Sequence, residues 1–103
     1  MSKYGNKRTN GHASKKEARR ANDLAMLERA GLVTDLKEQV VFVIAPSVVI
    51  LGRKRPSMKY IADFVYLEDG KQVVEDVKGM RTAVYVLKRH LMASVHGIQI
   101  RET

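Results

Sequence analysis

Asp63, Asp76 and Lys78 are the residues whose types and spacing could do chemistry together. They lie on two strand-like runs, 59–68 and 71–78, separated by Asp69-Gly70. Asp-Gly between two such runs is the strongest short-range hairpin signal. With a two-residue loop, Glu68 pairs with Lys71, and continuing that register sets Asp63 directly opposite Asp76. Opposed residues in an antiparallel pair share a face, with Cβ atoms about 4.5–5.5 Å apart. Lys78, two residues beyond Asp76, shares that face, whereas Glu75 points to the other one. Ile61, Val65, Leu67 and Val74 are expected on the same side, so the acids sit beside apolar surface. Two carboxylates held there must take up a proton or bind a cation. A hard divalent ion resolves the repulsion, because magnesium takes a few carboxylates together with water and phosphate oxygens. The plainer alternative is that Lys78 neutralises an exposed Asp76 while Asp63 faces solvent.

Glu17 is the candidate third acid. Ser14 followed three residues later by Glu17 is a capping box that opens a helix, which runs to about Ala30 with Gly31 as its stop. On that helix Glu17, Ala21 and Leu24 fall at i, i+4 and i+7, with Ala18 and Ala25 beside them. The acid therefore lies within the apolar stripe, not on the solvent face. It either reaches toward the two strand acids or only caps the Ser14 amide.

The elements that position these groups follow from the rest of the chain. Residues 1–12 mix Gly, Asn and charge without periodicity and read as a flexible basic arm; residues 13–103 read as a single domain. From Gln39 to Leu51 the chain is mostly β-branched, which predicts one or two strands with a bend at Ala45-Pro46. Gly52 to Pro56 is expected to be a basic loop. Thr82 caps a second helix to about His96, with Val84, Leu87, Leu91 and Val95 as its apolar stripe and Gly97 as its stop. Ile98-Gln99-Ile100 alternates as a last short strand. The expected order is α-β-β-β-α-β, an α/β (α+β) class with a mixed sheet and flanking helices.

Composition narrows the function classes. The chain of 103 residues, 45% hydrophobic, suits one domain with its own core. The longest apolar run, Val40 to Ala45, is far short of the roughly 18 residues that a membrane helix needs. The basic start has no following apolar stretch, which predicts no secretory leader and a cytoplasmic location. With no cysteine, disulfides and thiolate metal sites are excluded, so any metal must be held by oxygen or imidazole. None of His12, His90 and His96 stands in a metal-ligand pattern. The net charge is +8, and the first twenty residues hold seven basic side chains (Lys3, Lys7, Arg8, Lys15, Lys16, Arg19, Arg20) against Glu17 alone. A basic concentration of this kind points to a polyanion, nucleic acid before others.

Asp63 followed by Asp76-Val77-Lys78 resembles the D…(D/E)xK signature of the PD-(D/E)xK nuclease superfamily. The chain is also similar to a family of short phage proteins of unknown function or of endonuclease type. The similar stretches are KYGNK (Lys3 to Lys7), SKKEARR (Ser14 to Arg20), YIADF (Tyr60 to Phe64), VVEDVKG (Val73 to Gly79), and Thr82 with the Lys88 region. Ala62 stands where the signature often has proline. The resemblance implies a restriction-endonuclease-like core and a helix glutamate, as in phage junction-resolving endonucleases, with Glu17 in the matching position. It implies a magnesium-dependent DNA endonuclease, with manganese as a substitute metal. Asp63, Asp76, Glu17 and the Val77 carbonyl would be the ligands, and Lys78 the group that orients the attacking water. Branched or recombination-intermediate DNA is the substrate expected, cut by a homodimer in the host cytoplasm. Arg53, Lys54, Arg55, Arg81, Lys88 and Arg89, together with the basic residues of the first twenty, would make sequence-independent phosphate contacts. The competing reading is a non-catalytic DNA-binding or accessory protein with the same fold.

Overall fold

Helix α1 (Lys15–Arg29) begins at the predicted cap, where the Ser14 hydroxyl accepts from the Glu17 amide at 3.1 Å. The computed structural model describes residues 14–103; the basic arm with Lys3, Lys7 and Arg8 lies outside the described residues. The helix closes at Ala30, and Gly31 follows with φ +79°, a left-handed position that glycine takes at no steric cost. Next come β1 (Thr34–Ala45), β2 (Val48–Ile50), β3 (Arg53–Arg55), β4 (Met58–Glu68) and β5 (Lys71–Asp76). Helix α2 (Ala83–His96) and the two-residue β6 (Arg101–Glu102) complete the chain.

The main sheet runs β1-β4-β5-β6, antiparallel except for the parallel β5–β6 pair. Among the described residues the fold is thus α+β, with a mixed four-stranded sheet and two helices. β2 and β3 form a separate two-stranded ribbon. The expected basic loop at Gly52–Pro56 is therefore partly strand. Leu51 and Gly52 both have positive φ (51° and 77°), the geometry of a tight two-residue hairpin, so Arg53–Arg55 turns back along Val48–Ile50. β5 stops at Asp76, two residues early, although Thr103 still holds the chain there. Its amide bonds to the Asp76 carbonyl, and its carbonyl accepts from the Lys78 amide. The last strand falls on 101–102 instead of 98–100, because Ile98 and Ile100 pack against a core cluster.

Successive residues of β4 and β5 enter different clusters, so the helices cover opposite faces of the sheet. Phe64, Tyr66 and Val73 pack with Leu24 and Val33 on the α1 side. Val65 and Val74 pack with Tyr85 and Met92 on the α2 side. The cap and the Gly97 stop of α2 match expectation, but its buried stripe does not. Tyr85 and Met92 are its buried residues and Leu91 is half-buried, whereas Val84, Leu87 and Val95 are exposed. The periodicity was present, but a stripe that is apolar on two sides leaves the docking face open, and the aromatic Tyr85 decided it by the area it could bury.

What fastens α1 to the sheet is a polar clasp. Glu75 is fully buried, and Arg20 grips it through two bonds, Nε at 2.6 Å and Nη2 at 3.0 Å. The Tyr66 hydroxyl (2.6 Å) and the Thr103 hydroxyl (3.0 Å) also donate to it. These donors outweigh burial and hold the Glu75 carboxyl below its ordinary range. A buried carboxylate stripped of its cation is costly, by about 3–5 kcal/mol. Arg20→Ala is accordingly expected to destabilise the fold by about 3 kcal/mol, read from urea denaturation. A loss no larger than that of a surface substitution, within about 0.5 kcal/mol, would remove the clasp from this role.

Candidate functional site

The β4–β5 register is the predicted one. Glu68 pairs with Lys71, Val65 with Val74 and Phe64 with Glu75, and the next step brings Asp63 to Asp76. The two carboxyls face each other on the α2 side. Glu75 points the opposite way into its clasp, as expected. Asp63 Oδ2 also accepts from the Val77 amide at 2.8 Å, so this acid caps the end of β5. The Lys78 ammonium lies 2.8 Å from Asp76 Oδ2 and 3.9 Å from the centre of the Tyr85 ring. Asp63, Asp76 and Lys78 are thus brought together.

Around them opens a cleft of about 470 Å³, whose walls include Glu17, Tyr60, Asp63, Asp76, Lys78 and Lys88. Burial, first, and then the hydrogen bond and charge of Asp76 and the charge of Glu17 push Asp63 up to about 7, against the pull of the Val77 amide. Opposed acids beside apolar surface favour the protonated form, and Asp63 is shifted in that direction.

Glu17 is buried at the start of α1, as predicted, and its charge reaches Asp63. Its carboxylate, however, accepts from the Gln39 side-chain amide at 3.3 Å. Among the described residues no group of three or more His, Cys, Asp and Glu side chains is gathered closely enough to hold a metal ion. The third carboxylate is drawn to a neutral donor, away from two acids that repel it.

Several of the expected phosphate contacts are committed elsewhere. Arg20 is spent on Glu75. Arg81 and Arg89 both pair with Glu102, at 2.7 and 2.9 Å, and pull its carboxyl down to about 2. Lys16 donates to the Lys78 carbonyl at 2.8 Å and so ties α1 to the turn after β5. Lys15, Arg19, Arg53, Lys54 and Arg55 are exposed, and Lys88 lines the cleft. Neither His90 nor His96 lies near the acids as a ligand; His96 Nε2 donates to the Val43 carbonyl at 2.7 Å.

Three site residues escaped the sequence reading: Gln39, Tyr60 and Tyr85. Strict alternation puts Ile61 on the acid face and Tyr60 behind it, but Ile61 is exposed, while Tyr60 and Ala62 join Val65 and Val74 in the α2-side cluster. The alternation breaks between Ala62 and Val65. Opposite Asp63, β1 carries Gln39 with φ +55°, and the ladder passes from Glu38–Phe64 to Val40–Ala62 around that pair. A left-handed residue inside a strand re-aims its neighbours, as a bulge does. No signal in a single sequence marks a glutamine for that conformation. Tyr85 could have been found, since Thr82 as cap places it at the helix's first turn beneath Lys78.

A family model described as "Protein of unknown function (DUF1064)" matches residues 1–102, and the chain belongs to that family. No curated protein and no solved structure matches it. Among the described residues no helix is long and apolar enough to cross a membrane.

A carboxyl whose pKa is higher in the folded chain than the ordinary 3.8 favours folding while protonated. Its contribution is intact at low pH and is lost as pH rises toward about 7. Glu75 and Glu102, both shifted downward, act in the opposite sense and at lower pH. In EDTA the melting temperature should therefore fall between pH 5 and about 7. Asp63→Asn, whose amide oxygen can still accept from Val77, should flatten that slope and melt higher at pH 7.5. Each kcal/mol relieved is worth about 4–8 °C in a domain of this size. An unchanged slope in the variant would show that Asp63 does not carry it.

Proposed function

We propose that this protein is a magnesium-dependent DNA endonuclease of the PD-(D/E)xK type, built on a restriction-endonuclease-like core. One observation carries the reading: Asp63 and Asp76 meet across the β4–β5 hairpin, and Lys78 lies against Asp76 at the same cleft. Two opposed carboxylates at the wall of a cleft are a fitting seat for a small hard cation that keeps its remaining positions for water and phosphate. The orphan hydroxyl of Tyr60 beside them is a further sign that the pocket is built for polar contents.

Asp63 and Asp76 would hold the metal. Glu17 would join them by releasing the Gln39 amide, and the Val77 carbonyl lies on the same turn. Bound magnesium supplies Lewis-acid polarisation of a phosphate and a lowered pKa for water. Lys78, its stem resting on Tyr85, keeps donors to spare for a phosphate oxygen and for the charge that develops there. Hydrolysis by water forms one new P–O bond as one ester bond breaks, with no covalent protein intermediate. Lys88 inside the cleft and the exposed Arg53, Lys54 and Arg55 of the hairpin would contact flanking phosphates. Branched or recombination-intermediate DNA in a phage context is the substrate proposed. A homodimer would make the two symmetric cuts, and the exposed Val41, Val43 and Ile61 of β1 and β4 offer apolar surface for it.

Incubation with linear duplex, single strand, four-way junction and RNA, with and without magnesium, tests the reading. Magnesium-dependent cleavage of at least one DNA form is expected. It should fall on the order of 10²-fold or more in Asp63→Asn, Asp76→Asn and Lys78→Ala. DNA binding in EDTA should survive those changes and weaken steeply with added salt. Cutting that persists in Asp76→Asn removes the site, and cleavage of nothing favours an accessory DNA-binding protein.

A further inference from the structure

Among the described residues one buried side-chain polar atom is left without a hydrogen-bond partner, the hydroxyl of Tyr60. The residue is 4% exposed, its ring is packed in the α2-side cluster, and it lines the same cleft as Asp63 and Asp76. Leaving such a donor unmade costs about 1–3 kcal/mol, which phenylalanine at this position would avoid. Burial, then the charge and close approach of Asp76, and then the charges of Tyr85 and Asp63 push its pKa above the ordinary tyrosine range, so the phenol keeps its proton and can donate. Asp76, on the wall of the same cleft, is engaged by Lys78 at 2.8 Å.

We propose that Tyr60 is a positioning residue for Asp76, donating to its carboxylate when a divalent cation is held at Asp63 and Asp76. The inference rests on the reading of Asp63 and Asp76 as a cation seat. The phenol, already fixed by packing, would meet a carboxylate oriented by the ion at no further ordering cost. Carboxylates that hold metals are themselves held by such outer hydrogen bonds, and loss of one typically weakens metal binding about 10- to 100-fold. Tyr85 does not share the role, because its hydroxyl is spent on Glu102 at 2.7 Å.

The test uses the full chain without nucleic acid, titrated with Mn²⁺ and read by the paramagnetic resonance of free Mn²⁺, alongside thermal melts in EDTA. Tyr60→Phe should melt at or above the wild-type temperature in EDTA, yet bind Mn²⁺ about 10-fold more weakly. Wild-type Mn²⁺ affinity in Tyr60→Phe overturns the proposal while leaving the cation seat standing. Weaker binding that comes with a lowered melting temperature in EDTA also overturns it, since the ring's packing then accounts for the loss. If the wild-type chain itself takes up no Mn²⁺, the cation seat fails, and the role of Tyr60 fails with it.

Discussion

Two adjacent acids at the end of one strand, Glu75 and Asp76, set the terms for the rest of the structure. Both are buried, and alternation sends them to opposite faces of the sheet. A buried charge is tolerated only when it is paired and hydrogen-bonded. Glu75 is satisfied in full by Arg20, Tyr66 and Thr103, groups drawn from α1, β4 and the chain end. That single carboxylate gathers three remote segments and fixes the height of α1 on the sheet. Because Glu17 lies one helical turn before Arg20, the clasp also decides how near Glu17 comes to Asp63.

Asp76 has the opposite environment. Its cation, Lys78, is two residues away on the same chain, and across the hairpin it meets another acid. Nothing forces this arrangement on the fold, because the α2-side cluster would accept an apolar pair at positions 63 and 76 as it accepts Val65 and Val74. An apolar replacement for a buried polar cluster is often neutral or stabilising. The chain carries instead two opposed acids and a phenol that goes without a partner. Local conflict of this kind is where function is to be sought, since folding alone gives no reason for it.

The hairpin was legible because its chemistry is local. Asp69-Gly70 sets the turn, the turn sets the register, and the register sets which acid meets which. Both helices were legible from their caps, Ser14 and Thr82, and their glycine stops. The buried face of α2 was not, because Val84, Leu87 and Val95 are as apolar as the residues that pack, and only the tertiary partner chooses among them. The polar surroundings of the acids were hidden for another reason. They depend on a left-handed Gln39 three strand positions from anything that announces it, and on a chain reversal that brings Thr103 back to β5. Such features live in contacts between distant segments, which spacing does not encode.

Charge has to be read with the same care. A net +8 suggests a protein covered in free cations, yet Arg20, Arg81, Arg89 and Arg101 are each paired with an acid of the same chain. Guanidinium suits that use, since its planar fork answers a carboxylate with two parallel bonds, as Arg20 does on Glu75. Among the described residues, exposed positive charge stands at the start of α1, on the β2–β3 hairpin and at Arg29, Lys37, Lys59 and Lys71, with Lys88 half-buried on the cleft wall. Of the internal pairs, Arg20–Glu75 is buried and little screened by salt, whereas the exposed ones contribute little and weaken as salt rises. The remaining cations lie in water, where their attraction for a polyanion is long-ranged, screened by ions and indifferent to sequence. A surface of that kind would bring a phosphate chain to the cleft without selecting which one. Selection would then have to come from the shape of the partner and from the polar pocket between β4 and β5.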